Sequence, residues 1–183
     1  DIEIQKTYNR FFKMELTKYI RDIHDFPKKG ILFKDITPLL LSPEATTEAL
    51  TQLCAQADGL GVTKVAAVES RGFFFGSLIA HQLGVGYVPV RKKGKLPYDT
   101  ISMSYDLEYG TDELEIHTDA IKPGDKVLVH DDVLATGGTA EAVVKLIEKA
   151  GGQVVLVSFL MELKALGGAS KLAGRNVKCL MEF

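Results

Sequence analysis

The sequence contains little cysteine, no excess of either charge and no long apolar run. Its two cysteines, Cys54 and Cys179, lie far apart and form no CxxC pair, so neither a disulfide framework nor a zinc knuckle is expected. Lys and Arg number 22 against 24 Asp and Glu, a balance that argues against bulk nucleic-acid binding. Without an apolar stretch of about 18 residues or a signal-peptide core, neither a membrane span nor export is predicted. We therefore expect a cytoplasmic protein with no nucleic-acid or membrane partner.

The composition that remains is that of a globular domain with many glycines. The 183 residues are 46% hydrophobic and 25% charged, which favours one domain with a substantial core. Residues 1–13 mix charges and aromatics and are interpreted as an N-terminal extension, native or added, because Met14 is a candidate start. Residues 14–183 are expected to form the single domain. The 17 glycines mark places where backbones can approach closely, so their positions guide the search for a site.

Apolar strands alternate with helices along most of the chain. Four short, continuous apolar runs are typical of buried strands: 64–68, 87–90, 127–129 and 154–160. Four segments have helical spacing or helix caps: 15–24, 42–57, 72–83 and 139–150. Strands that are buried on both faces and separated by helices indicate an α/β protein with a central parallel sheet.

Residues 91–118 interrupt this alternation. A connection of that length inside a compact domain is usually functional or contains a hairpin of its own. Ile101–Tyr105 and Leu114–His117 alternate as strands do. We predict a flexible loop followed by a two-stranded hairpin that projects from the sheet.

The most informative string runs from a strand through a loop into a helix over residues 127–139. The loop consists of Ala135, Thr136, Gly137, Gly138 and Thr139. Glycines let its backbone N–H groups point into one concavity, the helix N-terminus adds partial positive charge, and the threonines add hydroxyl donors. This pattern predicts a phosphate-binding cradle, although it is neither a P-loop nor a dinucleotide fingerprint.

Two carboxylates, Asp131 and Asp132, precede the cradle at the carboxyl end of its strand, where open α/β sheets bind ligands. Carboxylates beside a phosphate repel it unless they bind something else. Vicinal hydroxyls and a divalent cation are their natural partners, which points to a sugar phosphate with Mg²⁺. The alternative is that the pair merely caps a helix on a solvated loop.

Three further features are ambiguous by themselves. Arg71, after strand 64–68, can hold two oxygens of one phosphate, or it can be an ordinary structural arginine. The cationic run 91–95 suits a lid over a leaving anion, or a solvated basic face. Phe33 can stack on a planar ring or belong to the core. The four histidines show no metal-binding spacing.

Taken together, these strings resemble the type I phosphoribosyltransferases, and among them the enzymes that act on adenine. The matching segments, in order, are 25–37, 69–73, 90–97, 104–110 and the cradle. The resemblance covers residues 14–183. It implies a central parallel sheet flanked by helices, a small N-terminal hood and a flexible lid. It also implies a homodimer and the salvage reaction in which adenine and phosphoribosyl diphosphate (PRPP) give AMP and diphosphate, with Mg²⁺ held mainly through PRPP and no dedicated protein cage.

The resemblance also implies residue roles. Glu108 becomes the general acid/base that faces the purine, and Arg71 a catalytic residue. The residues implied to bind PRPP or AMP are Arg71, Arg91, Lys95, Tyr109, Asp131, Asp132, Ala135, Thr136, Gly137, Gly138 and Thr139. Adenine is implied to bind at Leu32, Phe33 and Lys34, where Lys34 replaces an arginine that is frequent in the family. A cis peptide is implied at Glu69–Ser70, and His130 occupies a position that is usually apolar.

Two alternatives remain at this point. The acceptor could be another purine, such as hypoxanthine, guanine or xanthine, because the 31–34 segment decides the base. The chain could also be a PRPP- or nucleotide-sensing module that has kept the fold and lost catalysis. Retention of Glu108 and of the lid argues against the second alternative.

Overall fold

The computed structural model describes residues 14–106 and 111–183, and the chain forms two compact units, Asp1–Thr51 and Gln52–Phe183. The expectation of a single domain over 14–183 stays a prediction. The elements that lie in or begin in the first unit are a 3₁₀ turn Leu16–Tyr19, strands β1 Arg21–His24 and β2 Leu32–Asp35, and helices α1 Thr37–Leu41 and α2 Pro43–Ala55. Strands β1 and β2 form an antiparallel two-stranded sheet.

The prediction of a helix over 15–24 is wrong. Only Leu16–Tyr19 form a helical turn, and Arg21–His24 pair with β2 in a register that places Ile23 opposite Phe33. A ten-residue helix is marginal by itself, because nucleation is costly, and pairing with a neighbouring strand satisfies the same backbone groups. The helix after Ser42 is confirmed, since the Ser42 hydroxyl accepts the N–H of Ala45 at 3.2 Å.

The second unit is built on a seven-stranded sheet. Its strands are β3 Lys64–Val68, β4 Gly86–Lys92, β5 Thr100–Asp106, β6 Thr111–His117, β7 Lys126–Leu134, β8 Gln153–Glu162 and β9 Val177–Glu182. Its two α-helices are α3 Gly72–Leu83 and α4 Gly138–Lys149. The strand order is β5-β6-β4-β3-β7-β8-β9. The neighbouring pairs from β4 to β9 in this order are parallel, whereas β6 pairs antiparallel with both β4 and β5. The predicted parallel sheet is confirmed, and β9 is a strand that the sequence patterns did not indicate.

The hairpin β5–β6 extends the sheet instead of projecting from it, so that part of the prediction is wrong. Strand β6 pairs with β4, and Arg91 lies opposite Glu115. The apolar side chains Leu114 and Ile116 are buried in the main core, and Met103 packs against it. Burial of this apolar face is the physical reason that the hairpin joins the sheet.

Close packing of helix on sheet depends on one glycine. At Gly76, a Cβ atom would overlap the Cβ of Ala67 in β3, so α3 can lie this close to the strand only because residue 76 has no side chain. Helix α4 buries Val143, Leu146 and Ile147 in the same unit. In the ranges 14–106 and 111–183, no helix has the length and apolar character needed to cross a membrane.

Candidate active site

Polar side chains gather at the carboxyl ends of three neighbouring parallel strands, β4, β3 and β7. Arg91 lies near the end of β4, Glu69 and Arg71 follow β3, and Asp131 and Asp132 lie near the end of β7. Because adjacent parallel strands end at the same edge, residues distant in sequence meet there. The structure therefore brings the predicted phosphate, sugar and leaving-group residues of the second unit to one edge.

The cradle has the geometry that its sequence predicts. It joins β7 to α4, and Gly137 precedes the helix with a left-handed φ of +81°, a conformation that favours glycine. A concavity of about 70 Å³ opens at this loop. Its lining comprises Asp131, Val133, Leu134, Ala135, Thr136, Gly137, Thr139, Ala140 and Phe159. One of the two predicted acids thus shares a cavity with the predicted phosphate donors.

A second loop supports the cradle from behind, and the sequence did not reveal it. A Cβ atom at Gly137 would overlap the carbonyl oxygen of Gly168, and a Cβ at Gly168 would overlap the carbonyl oxygen of Ala135. Gly168 begins a 3₁₀ turn that ends at Leu172. The path of the cradle therefore requires glycine at two positions, one in the cradle and one 31 residues later. The only sequence signal was the pair Gly167-Gly168, which resembles an ordinary turn.

The acid pair is electrostatically unfavourable in the free protein. Burial and the neighbouring Asp132 raise the pKa of the Asp131 carboxyl well above its ordinary value, although the N–H of Asp132 donates to Asp131 Oδ1 at 2.8 Å. Burial also raises the pKa of the Asp132 carboxyl, and the cation of Arg71 opposes that rise only in part. A cation or hydroxyl groups bound at this position would stabilise the ionised form of the two carboxylates.

Arg71 lies beside this pair. Its Nε is 2.8 Å from Oδ2 of Asp132. The next residue, Gly72, begins α3, and a Cβ there would lie 2.9 Å from Oδ1 of Asp131. The absence of a side chain at residue 72 lets the start of α3 approach the acids, so Arg71 reaches them from a fixed helix terminus. The peptide bond Glu69–Ser70 is cis, as the resemblance implied.

Arg91 and Lys95 meet at a carboxylate that the sequence analysis did not single out. Nε of Arg91 is 3.0 Å from Oε2 of Glu69, and Nζ of Lys95 contacts Oε1. The N–H of Lys92 also donates to Glu69, at 3.0 Å. Burial raises the pKa of Glu69, but these donors outweigh it and the net pKa is lowered. Glu69 therefore carries a stable negative charge among the cations.

The residues predicted to bind the base lie in the first unit. Leu32 is exposed, and the rings of Phe33 and Phe26 meet edge to face with centroids 5.1 Å apart. Nζ of Lys34 forms an ion pair with Asp22 at 2.7 Å. The lysine that replaces the usual arginine is thus occupied by a neighbouring strand, which favours recognition of a base by the ring and the main chain of this segment.

Two predicted residues, Glu108 and Tyr109, lie outside the described residues. Their roles stay predictions. Within 14–106 and 111–183, no group of three His, Cys, Asp or Glu side chains could form a metal cage. The adjacent carboxylates of Asp131 and Asp132 nevertheless offer the oxygen ligands that Mg²⁺ takes together with substrate phosphates, and their raised pKa values fit a site that receives positive charge.

Comparison with known proteins agrees with this geometry. The phosphoribosyl transferase domain family matches residues 36–172. The adenine phosphoribosyltransferase of Flavobacterium johnsoniae is 60% identical over 159 residues, which cover 87% of this chain and 94% of that protein. The chain belongs to the adenine phosphoribosyltransferases. This membership confirms the family, the fold class and the pentosyltransferase activity that the sequence predicted.

Solved adenine phosphoribosyltransferases have the same fold. The crystal structure of the Thermoanaerobacter pseudethanolicus enzyme is 50% identical with a TM-score of 0.91, and the match covers 94% of this chain and 100% of that one. The Giardia lamblia enzyme, crystallised with 9-deazaadenine, is 38% identical with a TM-score of 0.88, and the match covers 92% and 96% of the two chains. The central sheet, the flanking helices and the order of the elements are therefore those of adenine phosphoribosyltransferases.

Proposed function

We propose that the carboxyl edge of the second unit's sheet binds PRPP with Mg²⁺, and that the chain transfers its 5-phosphoribosyl group to N9 of adenine, releasing AMP and diphosphate. One observation carries this assignment: Asp131 and four of the five cradle residues, Ala135, Thr136, Gly137 and Thr139, line the same concavity. An acid that binds hydroxyls beside donors that bind a phosphate suits the two ends of a phosphorylated sugar.

The cradle would hold the 5-phosphate of PRPP. Backbone N–H groups at the start of α4, the hydroxyls of Thr136 and Thr139 and the helix terminus all favour an anion. Asp131 and Asp132 would bind the ribose hydroxyls and contribute oxygen ligands to Mg²⁺. When bound there, Mg²⁺ would supply positive charge that offsets the negative charge of the departing diphosphate.

The leaving diphosphate would be stabilised by cations from two strands. Arg71 lies on the acid-pair side, whereas Arg91 and Lys95 lie around Glu69. As the bond to C1′ breaks, negative charge grows on the diphosphate, and preorganised cations stabilise it more than they stabilise the ground state. Adenine N9 would attack C1′ from the opposite face, with inversion.

The base would bind in the first unit, at Leu32, Phe33 and Lys34. Stacking on the Phe33 ring and hydrogen bonds from the main chain would recognise the purine edge. The 9-deazaadenine held by the Giardia lamblia relative supports an adenine-shaped acceptor. Glu108 would exchange a proton with N7 of the purine, and Tyr109 would contribute to binding PRPP or AMP and to closing the lid.

A purine panel tests this function. The protein is mixed with PRPP, Mg²⁺ and one base at a time, namely adenine, hypoxanthine, guanine or xanthine, and nucleotide formation is followed by chromatography. We expect AMP from adenine and at most traces of nucleotide from the other bases. A nucleotide formed mainly from another base would contradict the assigned acceptor, and no product from any base would favour a PRPP-sensing module.

We also propose that the protein is a homodimer. Phe74 and Leu78, one helical turn apart on α3, are 48% and 38% exposed, so two apolar side chains share one surface of that helix. Light scattering after size-exclusion chromatography should give twice the monomer mass, and Leu78→Glu should reduce it. A monomeric wild-type protein would contradict the proposal. The cytoplasmic location stays a prediction from the sequence.

A further inference from the structure

Strand β6 carries a carboxylate, Glu115, within a segment in which apolar and polar residues alternate. Leu114 and Ile116 point into the core, as that pattern predicts. Glu115, on the opposite face, is nevertheless only 4% exposed. Strand β6 lies between β4 and β5, and the chain that leaves β4 crosses this face of it.

The carboxylate of Glu115 accepts hydrogen bonds from that crossing chain. Oε1 accepts the N–H of Lys95 and the N–H of Leu96, each at 3.1 Å, and Oε2 accepts the hydroxyl of Thr100 at 3.2 Å. A buried carboxylate is costly unless donors surround it, so the chain over 94–100 must take a path that supplies them. Burial raises the pKa of Glu115, but the N–H donors more than offset this and the net pKa is lowered.

Lys95 is consequently held at both ends. Glu115 holds its backbone N–H, and Glu69 holds its Nζ. Arg91 is similarly constrained, because Nε binds Glu69 and a second guanidinium nitrogen donates to the carbonyl of Lys95 at 3.2 Å. The two cations and the turn between them therefore form one connected unit.

The cations keep donors for an anion within this arrangement. An arginine has five N–H donors and a lysine ammonium three, more than these contacts use. The Arg91 and Lys95 side chains remain 34% and 48% exposed. An anion can thus bind to them without breaking the contacts to Glu69.

We propose that Glu115 is a positioning residue for the transfer reaction: by fixing the main chain at Lys95 and Leu96, it holds the ammonium of Lys95 where it meets the leaving diphosphate. The inference rests on the proposed function, because it acts through a cation assigned there. Glu115 itself touches no substrate. Its effect on the reaction passes through Lys95, and this makes it separable from a purely structural role.

A double-mutant cycle tests this pathway. The variants are Glu115→Gln, Lys95→Ala and the double variant, with Glu113→Gln as a matched control. Glu113 lies on the same strand and face and loses the same charge, but its carboxylate contacts Lys93 and Ser102, which have no assigned role. Steady-state kinetics are measured with PRPP and with adenine as the varied substrate, and thermal unfolding is followed in parallel.

We expect Glu115→Gln to lower kcat/KM for PRPP by about 10- to 100-fold, since misplacement of a positioning group costs on this order. The KM for adenine should change by less than about twofold. In the Lys95→Ala background, Glu115→Gln should cause little further loss, because its route to the substrate is already removed. The control Glu113→Gln should stay within about twofold of the wild type.

Other outcomes overturn the inference in distinguishable ways. If the wild type makes AMP and Lys95→Ala is impaired, but Glu115→Gln behaves as Glu113→Gln does, the positioning role is wrong and the proposed function stands. If the decreases in kcat/KM of the two single variants multiply fully in the double variant, Glu115 does not act through Lys95 and the inference is contradicted. If the wild type makes no AMP, the proposed function fails and the inference fails with it. Should Glu115→Gln not fold, Thr100→Val removes one donor from the same carboxylate and is tested in the same cycle.

Discussion

Two pairs of carboxylates at the same sheet edge have pKa values that are shifted in opposite directions. Asp131 and Asp132 are adjacent, and the pKa of each is raised. Burial raises both pKa values, the neighbouring Asp132 raises that of Asp131 further, and Arg71 opposes the rise only in part. The Glu69 side chain and Glu115 are also buried, yet the pKa of each is lowered. Cations and an N–H donor surround Glu69, and N–H groups and a hydroxyl surround Glu115. The first pair is poorly compensated, whereas the second is fully supplied with donors.

This difference separates groups that bind ligand from groups that hold the framework. A carboxylate whose donors are supplied by the protein gains nothing from a substrate, and it stabilises the fold. A carboxylate pair left short of positive charge is unfavourable in the free protein and becomes favourable when hydroxyls and a cation arrive. The same residue type thus serves substrate binding at the end of β7 and loop positioning around β4.

The largest expected effect comes from removing the cation of the acid pair. Arg71→Ala should lower kcat by on the order of 10²–10³, as loss of a preorganised donor to a developing anion does. Circular dichroism should show an unchanged fold. The control is Arg175→Ala, because that arginine pairs with Glu148 away from the site and its loss should leave kcat unchanged. Near-normal turnover in Arg71→Ala would contradict the distinction between ligand-binding and structural groups, since Arg71 would then only stabilise the fold.

The buried His130 tests whether the unfavourable burial of ionisable groups near the end of β7 extends beyond the two aspartates. His130 is fully buried beside Asp131, and burial lowers its pKa to about 3. The unfolded chain takes up a proton near pH 6.5 and the folded chain does not, so stability is lost as the pH falls below 6.5. Relative to His130→Val, the wild type should lose about 2 kcal/mol between pH 7.5 and pH 5.

Denaturant unfolding of both proteins at the two pH values measures this loss. The comparison cancels the titration of neighbouring acids that both proteins share. An identical pH dependence in the wild type and in His130→Val would show that the ring is protonated in the folded state, or that it finds a compensating partner.

A smaller effect is expected behind the cradle. Gly168→Ala should raise the KM for PRPP by about tenfold, because the new methyl group displaces the carbonyl of Ala135 and with it the phosphate loop. The matched control is Gly167→Ala in the same turn: its φ is +64°, but no atom lies within 4 Å of the added carbon. That variant should lose about 1 kcal/mol of stability and keep its KM. Equal KM values for the two variants would contradict a supporting role for Gly168.

Local patterns predicted the elements whose signals are local. Helix α3 occupies the predicted range 72–83, because glycines mark both of its ends and Gly84 has the left-handed conformation that ends a helix. The cradle was predictable for the same reason: its glycines, its threonines and the preceding acids all fall within nine residues.

The remainder depends on contacts that no local pattern contains. Glu115 looked like the polar half of an alternating strand, and only the chain crossing over it makes it a buried acceptor. Gly168 supports a loop that ends 29 residues earlier. The 15–24 segment has helical spacing, but pairing with β2 decides its conformation. In each case a contact with a residue distant in sequence determines the conformation or the function, and the local pattern does not contain that contact.

The contrast between the two carboxylate pairs is tested most directly by the free energies of unfolding of Asp131→Asn and Glu115→Gln, measured side by side at pH 7.5 without ligand. A raised pKa in the fold means that an acid at position 131 costs stability at this pH, so Asp131→Asn should be more stable than the wild type while losing activity. A lowered pKa means that the ionised Glu115 contributes stability, so Glu115→Gln should be less stable by about 1–3 kcal/mol. Shifts of the same sign in the two variants would contradict the account.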